Sequence, residues 1–125
     1  MVKVVNKEWG REEWLVNNEK YCLKKLYVNE GKMCSYHCHK NKDETFFINK
    51  GHIILRLGEE FRKLREGDAI RIEPNTYHSF GGLEDTVILE VSTHHEDSDS
   101  YRMKGQLSGD IPKKIMEKYK NGKGK

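Results

Sequence analysis

The chain of 125 residues carries 23 Lys and Arg against 20 Asp and Glu, a formal net charge of +3, and 35% of its residues are hydrophobic. This length corresponds to one domain, and no stretch approaches the roughly 20 apolar residues that a membrane-spanning helix needs. Residues 113–125 contain six Lys and one Glu and carry +5, which leaves −2 for residues 1–112. Because the basic excess belongs to a tail, we expect neither a nucleic-acid partner nor a membrane partner.

The cysteines and the N-terminus indicate the compartment. If Cys34 and Cys38 lie in one strand, four strand steps of about 13 Å separate them, which is too far for a disulfide. The first residues contain no apolar stretch long enough for a signal peptide. We therefore expect reduced cysteines and a cytoplasmic location.

Short apolar or alternating runs follow one another between residues 21 and 92, and turn residues separate them. This spacing predicts an all-β sandwich or small barrel, and no strand–helix–strand rhythm is present. The predicted strands are Tyr21–Val28, Met33–His39, Thr45–Asn49, His52–Leu57, Phe61–Leu64, Ala69–Glu73, His78–Phe80 and Thr86–Ser92.

Three segments lie outside these strands. Asn6–Asn17 is a polar lead-in that contains two Trp, and Thr93–Ser100 is an acidic loop that contains His. Near the C-terminus, Asp110 and Pro112 suit the start of a helix that Asn121-Gly122 would end. Its predicted apolar stripe consists of Ile111, Ile115, Met116 and Tyr119. We therefore divide the chain into a domain with its lead-in, residues 1–105, and a helix with a Lys-rich tail, residues 106–125.

Three histidines and one glutamate form a candidate metal site. His37 and His39 leave the same face of a strand about 7 Å apart, Glu44 follows after a short turn, and His78 comes from a distant strand. Three imidazoles and one carboxylate suit a divalent ion such as Mn, Fe, Ni or Zn, and they leave open sites on an ion that prefers six ligands. By itself, a pair of histidines two residues apart is as typical of a surface or core without a metal as it is of a metal site.

The glycines around this set strengthen the metal interpretation. Gly31, five residues, His37-Cys38-His39, four residues, Glu44, six residues and Gly51 reproduce the first signature of the cupin superfamily, which the sequence resembles. In the second signature Gly67 and His78 match, whereas Glu73, Asn75 and Gly82 replace the usual Pro, Gly and Asn. Asn tolerates the left-handed turn that the Gly normally supplies.

The resemblance implies a fold and a ligand set. It implies a double-stranded β-helix, a jelly-roll barrel, in which His37, His39, Glu44 and His78 bind a divalent metal ion. Mn is the ion we expect most, and Zn, Fe, Ni and Co are alternatives. Small cupins of one barrel usually pair, so a homodimer is expected.

Four outer motifs narrow the resemblance further, to mannose-6-phosphate isomerase-type and D-lyxose isomerase-like cupins. They are Lys7-Glu-Trp-Gly10, Tyr21-Cys-Leu-Lys24, Glu90-Val-Ser-Thr93 and Asp99-Ser-Tyr-Arg102. This resemblance implies a metal-dependent sugar or sugar-phosphate isomerase or epimerase. Such an enzyme interconverts an aldose and a ketose through an enediol, which a metal stabilises by binding its oxygens.

Strand alternation supplies candidates for the other roles. Apolar residues at period two place Lys24 on the inward face of its strand, and Glu90 is the candidate catalytic base. Lys24 is a candidate both for catalysis and for substrate binding, and Arg102 and His94 are candidates for substrate binding. From alternation alone, Lys24 and Glu90 are equally well interpreted as solvated strand charges. Loop histidines such as His94 and His95 are more often exposed bystanders.

Two other functions stay open at this point. Three His and one Glu are also compatible with an Fe-dependent cupin dioxygenase, and the third possibility is a non-catalytic metal- or sugar-binding cupin. Trp9 and Trp14 are expected to anchor the lead-in or to contact another subunit. Core packing, rather than sugar stacking, is expected for Tyr36, Phe46, Phe47, Tyr77 and Phe80.

Overall fold

The computed structural model describes residues 2–120 of the chain. This part contains thirteen strands, a 3₁₀ turn at Asp97–Asp99 and one α-helix. The strands are β1 Lys3–Lys7, β2 Gly10–Asn17, β3 Cys22–Val28, β4 Lys32–Met33, β5 His37–Cys38, β6 Glu44–Lys50, β7 His52–Leu57, β8 Glu60–Arg65, β9 Ala69–Ile72, β10 His78–Gly82, β11 Thr86–Ser92, β12 Tyr101–Arg102 and β13 Gly109–Asp110; the helix is α1, Lys113–Tyr119.

The strands form two sheets that enclose one core. The first sheet has the order β1-β2-β3-β11-β6-β9, and the second has the order β12-β5-β10-β4-β13, with β7 joining β10 to β8. The named strands pair antiparallel throughout. The predicted all-β jelly-roll barrel with a short C-terminal helix is confirmed.

Alternation along the strands explains which face is buried. In β3 every second residue is buried, from Cys22 to Val28, as period-two geometry requires when one face meets the core. Leu26, Ile48 and Ile88 lie in the main apolar cluster with Trp9. Burial of each large aliphatic side chain contributes roughly 1.5–3 kcal/mol, so these inward residues hold the two sheets together.

The lead-in is more structured than predicted. Asn6–Asn17 is predicted only as a polar lead-in outside the strands, but residues 3–17 form the hairpin β1–β2, which extends the first sheet beyond β3. The hairpin is only partly buried on either face, and its polar sequence shows no clean alternation. Trp9 follows β1 and packs edge-on against Phe80, with ring centroids 5.0 Å apart, so it anchors this segment to the core as predicted.

Helix α1 covers the outer side of the second sheet. Ile111 and Tyr119 pack with Ile54 and Leu83 in a second apolar cluster, which includes Ile115 and Met116 of the predicted stripe. Because α1 covers one side, the middle of β7 is apolar on both faces. The helix of 113–119 is too short and polar to cross a membrane, and no other α-helix lies among residues 2–120.

The predicted start of the helix is partly wrong. Pro112 precedes the first helical residue and no side chain caps it. Asp110 instead lies in β13, and its carboxylate pairs with Lys32 Nζ at 2.6 Å. The predicted stop at Asn121-Gly122 lies outside the described residues, and the division at residue 105 stays a prediction.

Candidate metal centre

The four residues of the predicted ligand set come together at one end of the barrel. His37 in β5 lies directly opposite His78 in β10, and His39 follows β5. One ring nitrogen from each of these histidines lies within 4.8 Å of the other two. Glu44 begins β6, and its Oε2 lies 3.1 Å from His78 Nε2 and 3.5 Å from His39 Nε2. The geometry therefore supports the sequence-predicted grouping.

A tight turn delivers His78 to this cluster. Asn75 has φ of +68°, the left-handed conformation that the usual glycine of the second signature would supply. Its backbone N–H donates to the carbonyl oxygen of His39 at 2.7 Å. This substitution in the signature therefore keeps the turn, as expected for Asn, and the turn connects the two histidine-bearing segments.

The three imidazoles are oriented by backbone carbonyls. Each Nδ1 contacts one carbonyl oxygen, and because a carbonyl only accepts, each Nδ1 carries the proton and donates it. In a neutral ring the lone pair then lies on Nε2, the atom that can bind a cation. The acceptors are the carbonyls of Ser35 at 2.8 Å, Asp99 at 2.9 Å and Thr76 at 2.9 Å, for His37, His39 and His78 in that order.

Two buried atoms of the cluster make no hydrogen bond. They are Glu44 Oε2 and His78 Nε2, among the described residues; they lie 3.1 Å apart, but in the neutral ring with its proton on Nδ1 both atoms are acceptors. Each unsatisfied buried polar group costs about 1–3 kcal/mol, and a divalent cation would satisfy both. Burial and nearby positive groups lower the pKa of His37 to about 3 and that of His39 to about 2, so both rings are neutral near pH 7. The donor set therefore fits a metal ion.

A buried lysine, which sequence reasoning missed, connects this cluster to Glu90. Lys42 is 3% exposed, and its Nζ lies 2.9 Å from Glu90 Oε2 and 3.5 Å from Glu44 Oε1. It also contacts His95 Nδ1 at 3.0 Å, and His95 Nε2 donates to Asp97 at 2.9 Å. The available signal was the two-residue spacing from Glu44, which places Lys42 on the same side of an extended chain.

The ion pairs set the charge of these groups. Burial by itself would raise the pKa of Glu90, but the ammonium groups of Lys42 and Lys24 outweigh it and lower the pKa to about 2. Burial would likewise lower the pKa of Lys42, but Glu90 and Glu44 outweigh it and raise that pKa above its usual range. At neutral pH the cavity therefore holds a carboxylate and an ammonium in contact.

Lys24 and Glu90 both point inward, opposite each other in the β3–β11 register. They are 2% and 4% exposed, so the alternative interpretation as solvated strand charges is wrong. Lys24 Nζ pairs with Glu12 at 3.5 Å and lies 4.1 Å from the centre of the Trp14 ring. The hairpin β1–β2 thus supplies the partners that compensate this buried charge.

One cavity contains all these groups, and two of the predicted residues lie outside it. The four candidate ligands, Lys42, Glu90 and Lys24 line it, together with Lys7, Glu12 and Asp97. His94 bonds to the Asn18 carbonyl at 2.7 Å and is half-exposed, because its neighbour His95 takes the inward place. Arg102 is exposed in β12. The structure brings neither His94 nor Arg102 to the cavity, and their contact with a substrate stays a prediction.

Known proteins share this sequence pattern and fold. A family model described as "Cupin domain" matches residues 25–92. The D-lyxose/D-mannose isomerase of Thermosediminibacter oceani is 30% identical, and the D-lyxose ketol-isomerase of a Thermofilum species is 31% identical; each match covers 66% of this chain and 61% of the relative. The chain thus spans about three fifths of the length of these relatives. The structure of KdgF from a Halomonas species superposes with a TM-score of 0.70 at 20% identity, over 77% of this chain and 89% of that one, which supports the fold alone.

Proposed function

Because the chain belongs to the cupin family, we propose that it is a divalent-metal-dependent isomerase that interconverts an aldose and a ketose. The names of its relatives support D-lyxose or D-mannose as the first substrates to test. The observation that carries the proposal is that one cavity holds an imidazole–carboxylate cluster beside a buried carboxylate–ammonium pair. The cluster suits charge stabilisation, and the pair suits proton transfer.

His37, His39, Glu44 and His78 are the proposed metal ligands. When bound there, a divalent ion would supply positive charge to the carbonyl and neighbouring hydroxyl oxygens of a sugar. Three imidazoles and a carboxylate suit several divalent ions, and we propose Mn first, with Zn, Fe, Ni and Co as alternatives. Lys42 would add a second fixed positive charge on the same side of the cavity, since its ammonium lies 3.5 Å from Glu44.

Glu90 is the proposed base. It would take the proton from the carbon next to the carbonyl and return it to the carbonyl carbon, while the hydroxyl proton passes to the former carbonyl oxygen. Its carboxylate is ionised at neutral pH because Lys42 and Lys24 hold the pKa low. Lys24 is proposed to bind a sugar hydroxyl from the opposite strand.

The charges in the cavity favour a free sugar over a sugar phosphate. Three ammonium groups line the cavity, and each has a carboxylate neighbour: Lys7 and Lys24 have Glu12, and Lys42 has Glu90. Phosphate recognition commonly uses Arg, which binds two oxygens at once, and no Arg lines the cavity among the described residues. We therefore propose an uncharged sugar as the substrate.

The test is exchange of solvent deuterium into C1 or C2 of D-lyxose, D-mannose and related sugars, with Mn²⁺ present. Wild type is expected to exchange, His78→Ala to lose exchange, and Glu90→Gln to lose about 10²–10⁴-fold in rate. Glu96→Gln, which removes an exposed carboxylate, is the matched control and should exchange normally. Absence of exchange with every sugar would refute the isomerase.

The same samples test the two alternative functions. Oxygen consumption by the iron-loaded protein with a small-molecule substrate would favour a dioxygenase. Sugar binding without exchange would favour a non-catalytic binding protein. The buried Glu90–Lys42 pair favours the isomerase, since neither alternative requires a base beside the metal ligands.

We also propose that two copies pair through the outer face of the first sheet. On β11 the outward residues Val87, Leu89 and Val91 are all apolar, although they face away from the core. In register with them lie Leu23 and Phe47 on the neighbouring strands, and Phe47 and Val91 are 37% and 54% exposed. An apolar surface of this kind marks an interaction site.

A second copy is the proposed partner because two-fold pairing of one face with itself is the commonest arrangement of soluble oligomers. At the edge of this face Arg71 binds Asp43 within the chain, with distances of 3.1 and 2.7 Å, and Lys25 and Lys50 lie in register with Leu89 and Val87. In sedimentation, wild type should have the mass of a dimer and Val91→Glu the mass of a monomer. The control variant Val2→Glu, which changes an exposed residue outside the strands, should remain a dimer. A wild-type monomer would contradict this pairing.

The buried, unbridged cysteines support our proposal of a reducing, cytoplasmic location.

A further inference from the structure

Asp99 is a buried carboxylate that the proposed reaction does not use. It ends the 3₁₀ turn Asp97–Asp99, in the loop between β11 and β12, and is 6% exposed. Its carboxylate accepts from three consecutive backbone N–H groups. The donors are Lys40 at 2.9 Å, Asn41 at 3.2 and 3.1 Å, and Lys42 at 3.0 Å.

Three successive N–H groups around one anion form a compact anion-binding arrangement of the backbone. Hydrogen bonds to an ionised acceptor are about twice as strong as neutral ones. The segment held in this way runs between His39 and Glu44, two of the proposed metal ligands. It also carries Lys42, whose ammonium contacts Glu90 and Glu44.

A second contact from Asp99 acts on a ligand directly. Its backbone carbonyl accepts from His39 Nδ1 at 2.9 Å, which leaves the lone pair of that ring on Nε2. The side chain and the main chain of Asp99 therefore hold both the ring of His39 and the backbone that follows it. These contacts join segments separated by 57 to 60 residues, so local sequence does not supply them.

We propose that Asp99 is the positioning residue of the metal centre, holding the turn of residues 40–42 and the His39 ring in the geometry that binds the ion. The inference rests on the proposed metal site. Its carboxylate oxygens are engaged by the backbone, so Asp99 acts through the ligands and does not bind the metal itself. Without it, ion binding has to order this turn and thereby loses affinity.

The test compares Asp99→Asn with Glu96→Gln by calorimetric titration of Mn²⁺ into metal-free protein. Both variants remove one negative charge from the same loop, but Glu96 is exposed and contacts His94 rather than the turn. In Asp99→Asn an NH₂ group faces backbone donors. We expect Mn²⁺ to bind about 10–100-fold more weakly to Asp99→Asn, and within about twofold of wild type to Glu96→Gln.

Thermal unfolding of the metal-free variants separates positioning from a purely structural role. If Asp99→Asn lowers stability but binds Mn²⁺ as tightly as Glu96→Gln does, the proposal is overturned. Should Asp99→Asn fail to fold, hydrogen exchange of the wild type decides. The backbone amides of Lys40, Asn41 and Lys42 must then be protected without metal, and free exchange there overturns the proposal.

These outcomes are distinguishable from failure of the isomerase proposal. Mn²⁺ affinity and amide protection are measured without any sugar, so an inactive protein can still confirm the role of Asp99. If wild type binds neither Mn²⁺ nor any of the alternative ions Zn²⁺, Fe²⁺, Ni²⁺ and Co²⁺, the metal proposal fails, and the role of Asp99 in metal positioning fails with it. Normal deuterium exchange in Asp99→Asn at saturating Mn²⁺ would be consistent with an effect on affinity alone.

Discussion

Replacement of Lys42 by Met leaves two buried carboxylates without their partner. Lys42 and Glu90 are 3% and 4% exposed, and their charged atoms lie 2.9 Å apart, so little water is available to replace the lost ammonium. Removal of one member of a buried ion pair costs about 3–5 kcal/mol. Since domains of this size unfold with about 5–15 kcal/mol, the variant should lose a large part of its stability.

The pH dependence gives this prediction its direction. In wild type the pKa of Glu90 is lowered to about 2, so the pair contributes stability above the unfolded pKa near 4.5, and that contribution disappears as the pH falls toward 2. In Lys42→Met, burial is no longer outweighed by Lys42, and Glu90 binds a proton more readily. The stability difference between variant and wild type should therefore shrink as the pH falls from 7 to 4.

Urea unfolding of metal-free protein measures this difference. Lys40→Met, which removes an exposed ammonium two residues away, should stay within about 0.5 kcal/mol of wild type. The double variant Lys42→Met/Glu90→Gln should be more stable than Lys42→Met alone, because it removes one of the two carboxylates that Lys42→Met leaves without a partner. A Lys42→Met variant as stable as Lys40→Met, or a difference that does not change with pH, would refute the reasoning.

Three further predictions concern metal binding, backbone geometry and acid stability. Mn²⁺ at about 100 times its Kd should raise the free energy of unfolding of wild type by about 2.7 kcal/mol. In a thermal melt it should leave the stability of His78→Ala unchanged. Equal stabilisation of both proteins by Mn²⁺ would contradict the ligand assignment. Gly51→Ala should lower the free energy of unfolding in urea by roughly 1–3 kcal/mol more than Gly67→Ala does. Both glycines have φ near +90°, but of the two only Gly51 has a carbonyl oxygen, 2.6 Å away, where a Cβ would lie. Equal losses would show that this contact relaxes. Burial lowers the pKa values of His37 and His39 to about 3 and 2, so both rings are neutral in the folded protein. Because the unfolded imidazoles bind protons below pH 6.5, the metal-free protein should lose about 4 kcal/mol of stability between pH 7 and pH 5. A stability that does not change over this pH range would contradict the prediction.

Most of the fold was predictable because alternation is a local signal. The inward positions of β3 and β11 follow from period two alone, and the eight predicted strands are present, with Met33–His39 divided into β4 and β5. The hairpin β1–β2 was not predictable in this way. Its residues are exposed or half-buried on both faces, so the sequence shows no apolar face. The pairing of β2 with β3 depends on which residues of the two strands lie opposite each other, and no hydrophobic pattern in the sequence indicates that register.

The candidate site was likewise predictable from the sequence only in part. The proposed ligands were found because their spacing lies within two short motifs, whereas Lys42 looked like an ordinary solvated charge. His94 and His95 are adjacent in sequence, and only packing decides that His95 turns inward to contact Lys42 and Asp97.

The sequence by itself predicted the barrel, the family and the four proposed metal ligands, since the motifs that carry them are each short. Only the tertiary structure decided which charges are buried, how they pair and what supports them. Lys42 meets Glu90 across 48 residues, and Asp99 meets the turn of residues 40–42 across more than 50. Such contacts depend on strand order and on the exclusion of water, which turns a lysine and two carboxylates from surface charges into a linked site.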